Sequence, residues 1–231
     1  MNYLTLQGRV EDELLRTDLS VNIGTWINEA RSEIADGTLP VLATDSQGIH
    51  RFEWTLTARS SVGTSIAVNA WPSDFIEEKS LFFRADEKPL PPLTTDEYYE
   101  LAYQEIYSLT GTGDPKHYVK EGANYRLVPT PDGAKLLYLD YYAYPVDLTA
   151  AADEEEIDTQ VPSLIIATAC LKGARYLRDK PMVEGYKEQV VEYYMAAKNK
   201  DRMQKFRGRD LRMKSYSDRH TSLHKGRRNI Y

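Results

Sequence analysis

The sequence predicts an α+β fold, and three observations carry the prediction. Apolar residues recur at steps of three and four near both ends of the chain. Between those ends they alternate at a step of two. Clusters of glycine, proline and aspartate punctuate the alternating region, most clearly at Pro129-Thr130-Pro131-Asp132-Gly133. Two helical pairs should therefore flank a strand-rich insertion.

The helical signal is strongest over residues 161–206. Val161-Pro162-Ser163-Leu164-Ile165-Ile166-Ala167-Thr168-Ala169-Cys170-Leu171 is apolar nearly all round, the mark of a helix enclosed on several sides, and is expected to be the central helix. Pro162 suits a first turn, where its missing N–H is no loss, and Pro181 forces a break after Arg178-Asp179-Lys180. The next helix carries Val183, Tyr186, Val190, Tyr194 and Ala197 on one stripe, with Glu184, Lys187, Glu188 and Glu192 on the other faces. A short connection makes the two antiparallel neighbours. At the other end of the chain, Tyr3, Leu6, Val10 and Leu14 share a helical face, and Asp18-Leu19-Ser20 offers a break with capping residues. Ile23, Trp26, Ile27, Ala30 and Ile34 follow on a second helix, closed by Gly37 in a left-handed cap. Residues 1–37 and 161–206 are thus expected to form a four-helix core.

Residues 38–160 are expected to be the β-rich insertion. Phe52, Trp54, Leu56 and Ala58 alternate with polar residues, Ser60-Ser61-Val62-Gly63-Thr64 offers a turn, and Ile66, Val68 and Ala70 alternate again, which predicts a hairpin. Leu81-Phe82-Phe83-Arg84 and Leu90-Pro91-Pro92-Leu93 predict a second, with its proline-bearing arm at a sheet edge. Thr94 and Glu97 match a capping box for a helix that buries Tyr98, Leu101, Ala102 and Ile106. Short strands at 117–120 and 124–128 turn at Glu121-Gly122, and a long strand over 134–144 is apolar on both faces, as a central strand or a subunit contact would be. The stretch 145–158, with Asp153-Glu154-Glu155-Glu156, reads as a solvated acidic loop.

Charge is divided unevenly. From Lys198 to Tyr231 there are twelve Lys or Arg against three Asp, a net of +9, so the overall −6 leaves −15 on residues 1–197. An acidic body with a basic tail, residues 207–231, points to an arm with a dedicated partner. The tail past Phe206 offers too few apolar residues to offset the entropy of ordering it, so it should fold only on a partner surface. The single Cys170 excludes a disulfide framework and fits a reducing site of synthesis. No basic n-region with an apolar h-region opens the chain, and no apolar run approaches a membrane span, so neither secretion by a cleaved signal nor a membrane location is expected.

Catalytic constellations are not evident. His50, His117, His220 and His224 form no site; His220 and His224 are four apart, but only Asp218 stands near them, which is too little for a metal. Glu155 and Glu156 lie in a run rather than across a cleft. There is no phosphate loop, nucleophile elbow or dinucleotide fingerprint. The expectation is a protein that is no enzyme and uses no cofactor or metal. The seventeen tyrosines cluster at 98–107, 138–144 and 186–194. Tyr138, Tyr141, Tyr142 and Tyr144 are candidates for a subunit interface, where an apolar ring with a polar tip is favoured.

A set of motifs gives the order a family likeness. Gly113-Asp114-Pro115-Lys116-His117-Tyr118, Tyr125-Arg126-Leu127-Val128-Pro129-Thr130-Pro131-Asp132-Gly133, Leu139-Asp140-Tyr141-Tyr142, Pro145-Val146-Asp147-Leu148-Thr149 and Val161-Pro162 follow one another between the helical pairs. With Trp26-Ile27-Asn28-Glu29-Ala30 and Trp71-Pro72-Ser73-Asp74-Phe75, the chain from about Tyr3 to Ala197 resembles the head-to-tail adaptor proteins of tailed bacteriophages, especially short-tailed ones. The resemblance implies a ring of twelve copies beneath the portal, assembled in the host cytoplasm and resident at the head-tail junction of the virion. It implies as partners the portal protein, a tail nozzle or next tail component, other copies of the chain, and genomic DNA passing without sequence recognition. A C-terminal arm that engages portal would place Phe206, Arg207, Arg209, Leu211, Arg212, Met213, Lys214 and Tyr216 in that contact. The rival reading is a nucleic-acid-binding protein in which the basic tail neutralises phosphates.

Overall fold

Two helices open the chain, α1 (Tyr3–Leu14) and α2 (Ser20–Asp36), in a computed structural model that describes residues 1–39, 51–52, 57–83, 88–103 and 111–206. Strands β1 (Thr57–Thr64), β2 (Val68–Ala70), β3 (Phe75–Phe83), β4 (Lys88–Leu90) and β5 (Pro92–Leu93) follow, then α3 (Thr95–Tyr103). Next come β6 (Thr112–Gly113), β7 (His117–Glu121), β8 (Asn124–Val128), β9 (Thr130–Pro131) and β10 (Lys135–Ala143). The described residues end with α4 (Glu156–Gln160), α5 (Pro162–Tyr176) and α6 (Lys180–Phe206). The α+β class is as the sequence predicts.

Helix α5 is the hub of the helical part, packed against α1, α2 and α6. Its near-complete apolar surface explains this, since Ile165, Ala169, Cys170 and Ala174 are all fully buried. Pro162 stands in its first turn. Gly173 lets the neighbours close in: a Cβ there would meet Leu14 Cδ1 at 2.6 Å and the Trp26 ring at 3.0 Å. Gly37 ends α2 at φ 68, as expected. The start of α2 differs from expectation, because Leu19 is the N-cap and no side chain caps it. The Asp18 carboxylate is engaged by Arg16 instead, through two bonds of 2.7 Å.

The strands form two four-stranded sheets, ordered β1-β10-β3-β4 and β2-β8-β7-β5. The predicted hairpin over 52–70 is therefore incorrect where it is described. Strand β1 runs straight through the expected turn at 60–64, pairing antiparallel with β10 from Thr57↔Tyr142 to Thr64↔Lys135, while β2 joins the other sheet beside β8. Ladder pairing to β10 along all eight residues outweighs the weak turn preference of Ser-Ser-Val-Gly-Thr. Trp54 and Leu56 lie outside the described residues. The second hairpin is met only in part: β3 pairs with β4, whose Pro89 sits on an edge strand, but of the expected arm 90–93 only Leu90 belongs to it, and Pro92-Leu93 crosses to the other sheet to pair parallel with β7. Thr94 and Glu97 form the capping box of α3, with the Glu97 N–H donating to Thr94 Oγ1 at 3.2 Å and the Thr94 N–H to Glu97 Oε2 at 2.8 Å. Gly122 makes the β7–β8 turn at φ 61.

Each sheet lends one face to a shared core. Leu81, Phe83, Leu137, Leu139 and Tyr141 from the first meet Tyr118, Tyr125 and Leu127 from the second. A file of rings extends this core, with Trp71 stacked on Phe75 at 4.4 Å, Tyr125 tilted against Trp71 at 4.5 Å and Phe75 stacked on Tyr141 at 5.9 Å. The separate helical core includes Phe52, Leu148 and Tyr142. Strand β10 joins the two, since successive side chains on a strand point to opposite faces and its register shifts at Asp140/Tyr141 and Tyr142/Ala143. Tyr141 enters the sheet core and Tyr142 the helical core.

Candidate functional site

The segment 145–158 is where the insertion returns to the helices; Asp147, Glu154 and Glu156 are exposed as its composition suggests, but not all of its carboxylates are solvated. Asp158 is fully buried and binds the equally buried Arg31 of α2, at 2.8 Å from Nε to Oδ1 and 3.3 Å from Nη2 to Oδ2. Arg31 also donates to Glu155 Oε2 at 2.6 Å and to the Val146 carbonyl at 2.6 Å. Asn28, one turn earlier, exchanges two bonds with the Leu148 backbone at 3.0 and 3.1 Å. Glu155 and Asp158 brace each other, the Glu155 N–H donating to Asp158 Oδ2 at 2.9 Å. The Asp153 carboxylate accepts N–H bonds from Ala150 and Thr149 at 2.7 and 2.8 Å, and these hold it below the usual carboxylate range. A buried guanidinium needs this many acceptors, and the carboxylates supply them.

This junction was missed by sequence reasoning, although signals existed. Arg31 interrupts the apolar stripe Ile27, Ala30, Ile34, where a charge on the inward face requires a partner. Glu155-x-x-Asp158 before Pro162 has capping-box spacing. Glu155 is thus a ligand of Arg31 rather than half of a catalytic pair.

The candidate interface tyrosines divide into two groups. Tyr141 is 5% exposed, its hydroxyl donates to Asp74 Oδ1 at 3.0 Å, and burial followed by that bond pushes its pKa up to about 12. Tyr142 is buried among the helices. Tyr138 is half-buried on the other face of β10, with the Arg59 guanidinium 5.9 Å from its ring centre, and Arg59 pairs with Asp140 directly across the strands. Tyr144 is 40% exposed. Burial assigns Tyr141 and Tyr142 to packing within the chain, while Tyr138 and Tyr144 remain presented at the surface. Phe206 ends α6, and Arg207, Arg209, Leu211, Arg212, Met213, Lys214 and Tyr216 lie outside the described residues.

Reactive chemistry finds little support in the geometry. Among the described residues no three His, Cys, Asp or Glu side chains gather as metal ligands. Cys170 is fully buried, and its thiol is pushed up to about 12, chiefly by burial, far from a nucleophilic thiolate. A groove of about 560 Å³ between α1, α2 and the 149–151 turn is lined by Tyr3, Gln7, Val21, Thr25 and Asn28 among others, without a carboxylate, histidine or cation. A smaller one, of about 190 Å³, lies where α5 meets α6, and its Lys200 bonds the Gln160 carbonyl and side chain. Among the described residues no helix is long and apolar enough to cross a membrane.

A buried ion pair fastens the return of the insertion to the second helix, and a file of aromatic rings ties the two sheets together. Residues 1–222 match the SU10 adaptor protein family, so the chain belongs to that family of phage head-to-tail adaptors. The match extends past Ala197 and takes in most of the basic tail, which the sequence motifs did not reach. No curated protein matches the chain.

Proposed function

We propose that this adaptor joins the portal to the tail as a ring of twelve copies around the DNA exit channel, in a phage of the short-tailed type. The observation that carries the reading is the family match over residues 1–222, which spans both the acidic body and most of the basic tail. A ring requires a heterologous contact that closes by rotation, and Tyr138 and Tyr144 offer apolar rings with polar tips for it. Residues 1–37 with 161–206 serve as the core, 38–160 as the insertion and 207–231 as the arm. The arm, through Phe206, Arg207, Arg209, Leu211, Arg212, Met213, Lys214 and Tyr216, grips portal, and a tail nozzle or next tail component binds below. The net charge of −15 on residues 1–197 suits a channel that repels phosphate, so genomic DNA passes without being held. No catalytic step, cofactor or membrane belongs to this role; its place is the head-tail junction, after assembly in the host cytoplasm.

The test is mass and size measurement on portal, on this protein and on their mixture, at two salt concentrations and with DNA as a parallel probe. A ring that co-migrates with portal at physiological salt is expected. Binding to DNA alone, weakening steeply with salt, would favour the nucleic-acid reading.

A further inference from the structure

Helix α6 has one side in the core and the opposite side open. Tyr186, Val190, Tyr194 and Ala197 are buried, and α5 is the main neighbour of this helix among the described residues. Directly opposite run Glu184, Glu188, Glu192, Met195, Asn199 and Met203, at steps of three and four and all exposed. Glu184 pairs with Lys187 at 2.7 Å. Glu188 and Glu192 take part in no ion pair or side-chain hydrogen bond among the described residues. Met195 is 40% exposed and Met203 is 75% exposed. The open face therefore joins unpaired carboxylates to flexible thioether side chains, which adapt their shape to whatever lies on them.

The same chain carries the complement. Residues 207–231 hold eight Lys or Arg against two Asp, a net of +6, with Leu211, Met213 and Tyr216 among them. They follow directly on Phe206, the last residue of this helix. Gly208 stands two residues past that end, where a glycine commonly stops a helix and turns the chain. From Phe206 back to Glu192 and Glu188 is about 21 and 27 Å at 1.5 Å per residue. An extended chain covers those spans in about seven to eight residues, which brings Arg212 and Lys214 level with the two glutamates. A tail tethered at one end also meets its own helix at a far higher effective concentration than it meets another molecule, so even weak exposed pairs can hold it.

We infer that in the unassembled chain residues 207–231 turn back along the open face of α6, with Arg212 and Lys214 against Glu192 and Glu188 and the apolar side chains over Met195 and Met203. Charge holds the contact, and it gives the tail no core of its own. The inference rests on α6 and on the sequence of the tail, and it stands whatever the tail grips later. An outside partner of the tail must first displace it from α6, so this face sets how readily the tail is released.

The experiment uses the full chain without any partner, as the wild type and as the double variant Glu188→Gln with Glu192→Gln. A carbodiimide, which couples a carboxylate to an amine in contact with it, is applied at low salt, and the products are mapped by mass spectrometry. In the wild type, cross-links from Glu188 or Glu192 to Lys214 or Lys225 within one chain are expected. Trypsin at low salt should cut after Arg212 and Lys214 about threefold faster or more in the double variant, as the loss of two exposed pairs allows. At high salt, which screens exposed charges, the two should be cut equally fast. Their melting temperatures should agree, because both exchanged carboxylates are exposed. Absence of these cross-links, or equal cutting at low salt, overturns the inference and leaves the adaptor role standing. Cross-links found only between two chains also overturn it, by assigning the face to a second copy.

Discussion

Arg31 and Asp158, 127 positions apart in the chain, meet as a two-pronged ion pair with both side chains fully buried. The pair fixes the exit of the β-rich insertion to the second helix, so the two cores cannot pivot at this junction without exposing or orphaning a charge. Strand β10 holds them at the same border through Tyr141 and Tyr142.

Removing one partner should therefore cost more than removing both. Arg31→Ala leaves Asp158 and Glu155 as uncompensated carboxylates and should lower stability by about 3–5 kcal/mol. Arg31→Met with Asp158→Leu should recover a large part of that loss. Denaturant unfolding of the three chains measures both effects, and equal losses in the single and double variants would contradict the assignment.

The two buried phenols of the sheet core should behave differently. Tyr125 is fully buried, with no hydrogen-bond partner for its hydroxyl among the described residues, and burial pushes its pKa up to about 12, the value Tyr141 also reaches. Tyr125→Phe removes an unsatisfied group and should be neutral or stabilising, by up to about 1–3 kcal/mol. Tyr141→Phe breaks the bond to Asp74 and should destabilise by about 1.5–3 kcal/mol. In the wild type both phenols hold their protons more tightly folded than unfolded, where they titrate near 10. Their contribution is whole below pH 10 and is lost as pH rises from 10 to 12. Unfolding midpoints across that window should fall, and fall less in either Phe variant.

Much of the helical frame was legible because local and tertiary demands agree there. Gly37, Pro162 and the Val183-to-Ala197 stripe all stand where periodicity and capping rules put them. The Thr94–Glu97 box and the Gly122 turn were legible for the same reason, since their hydrogen bonds close within a few residues. What escaped depends on distant partners. Ser60 to Thr64 has turn-like composition, and only the ladder to β10, more than seventy positions on, makes it a strand. Arg31 likewise stands out as a charge on an apolar face, but which carboxylate it meets is fixed only by Asp158, 127 positions on. Within the acidic stretch 153–158, Glu154 and Glu156 are exposed as expected, while the burial of Asp158 escaped because composition counts charges without showing which donors they meet.

The split among the candidate interface tyrosines can be tested by comparing stability with assembly. Tyr142→Ser opens a hole in the helical core and should cost about 3–5 kcal/mol. Tyr138→Ser and Tyr144→Ser should stay within about 1 kcal/mol of the wild type while reducing ring formation with portal. Thermal melts set beside mass measurement of the portal complex separate the two. If the Tyr138 and Tyr144 variants assemble as well as the wild type, the ring contact lies elsewhere.

The basic tail should matter for binding and hardly at all for folding. On α6 the buried face runs through Val190, Tyr194 and Ala197 to Asp201, which is fully enclosed, so the described core is complete before Phe206. Deleting Gly208 to Tyr231 should leave the melting temperature nearly unchanged while portal binding falls by orders of magnitude. Replacing Arg207, Arg209 and Arg212 by Ser should weaken binding less, because exposed ion pairs contribute only about 0.2–1 kcal/mol each. Leu211, Met213 and Tyr216, if buried on portal, would supply the larger share as anchors. Titration of portal with the three chains decides the order. A truncated chain that binds as tightly as the full one would move the portal contact from the tail to the acidic body, and with it the direction in which the whole adaptor faces.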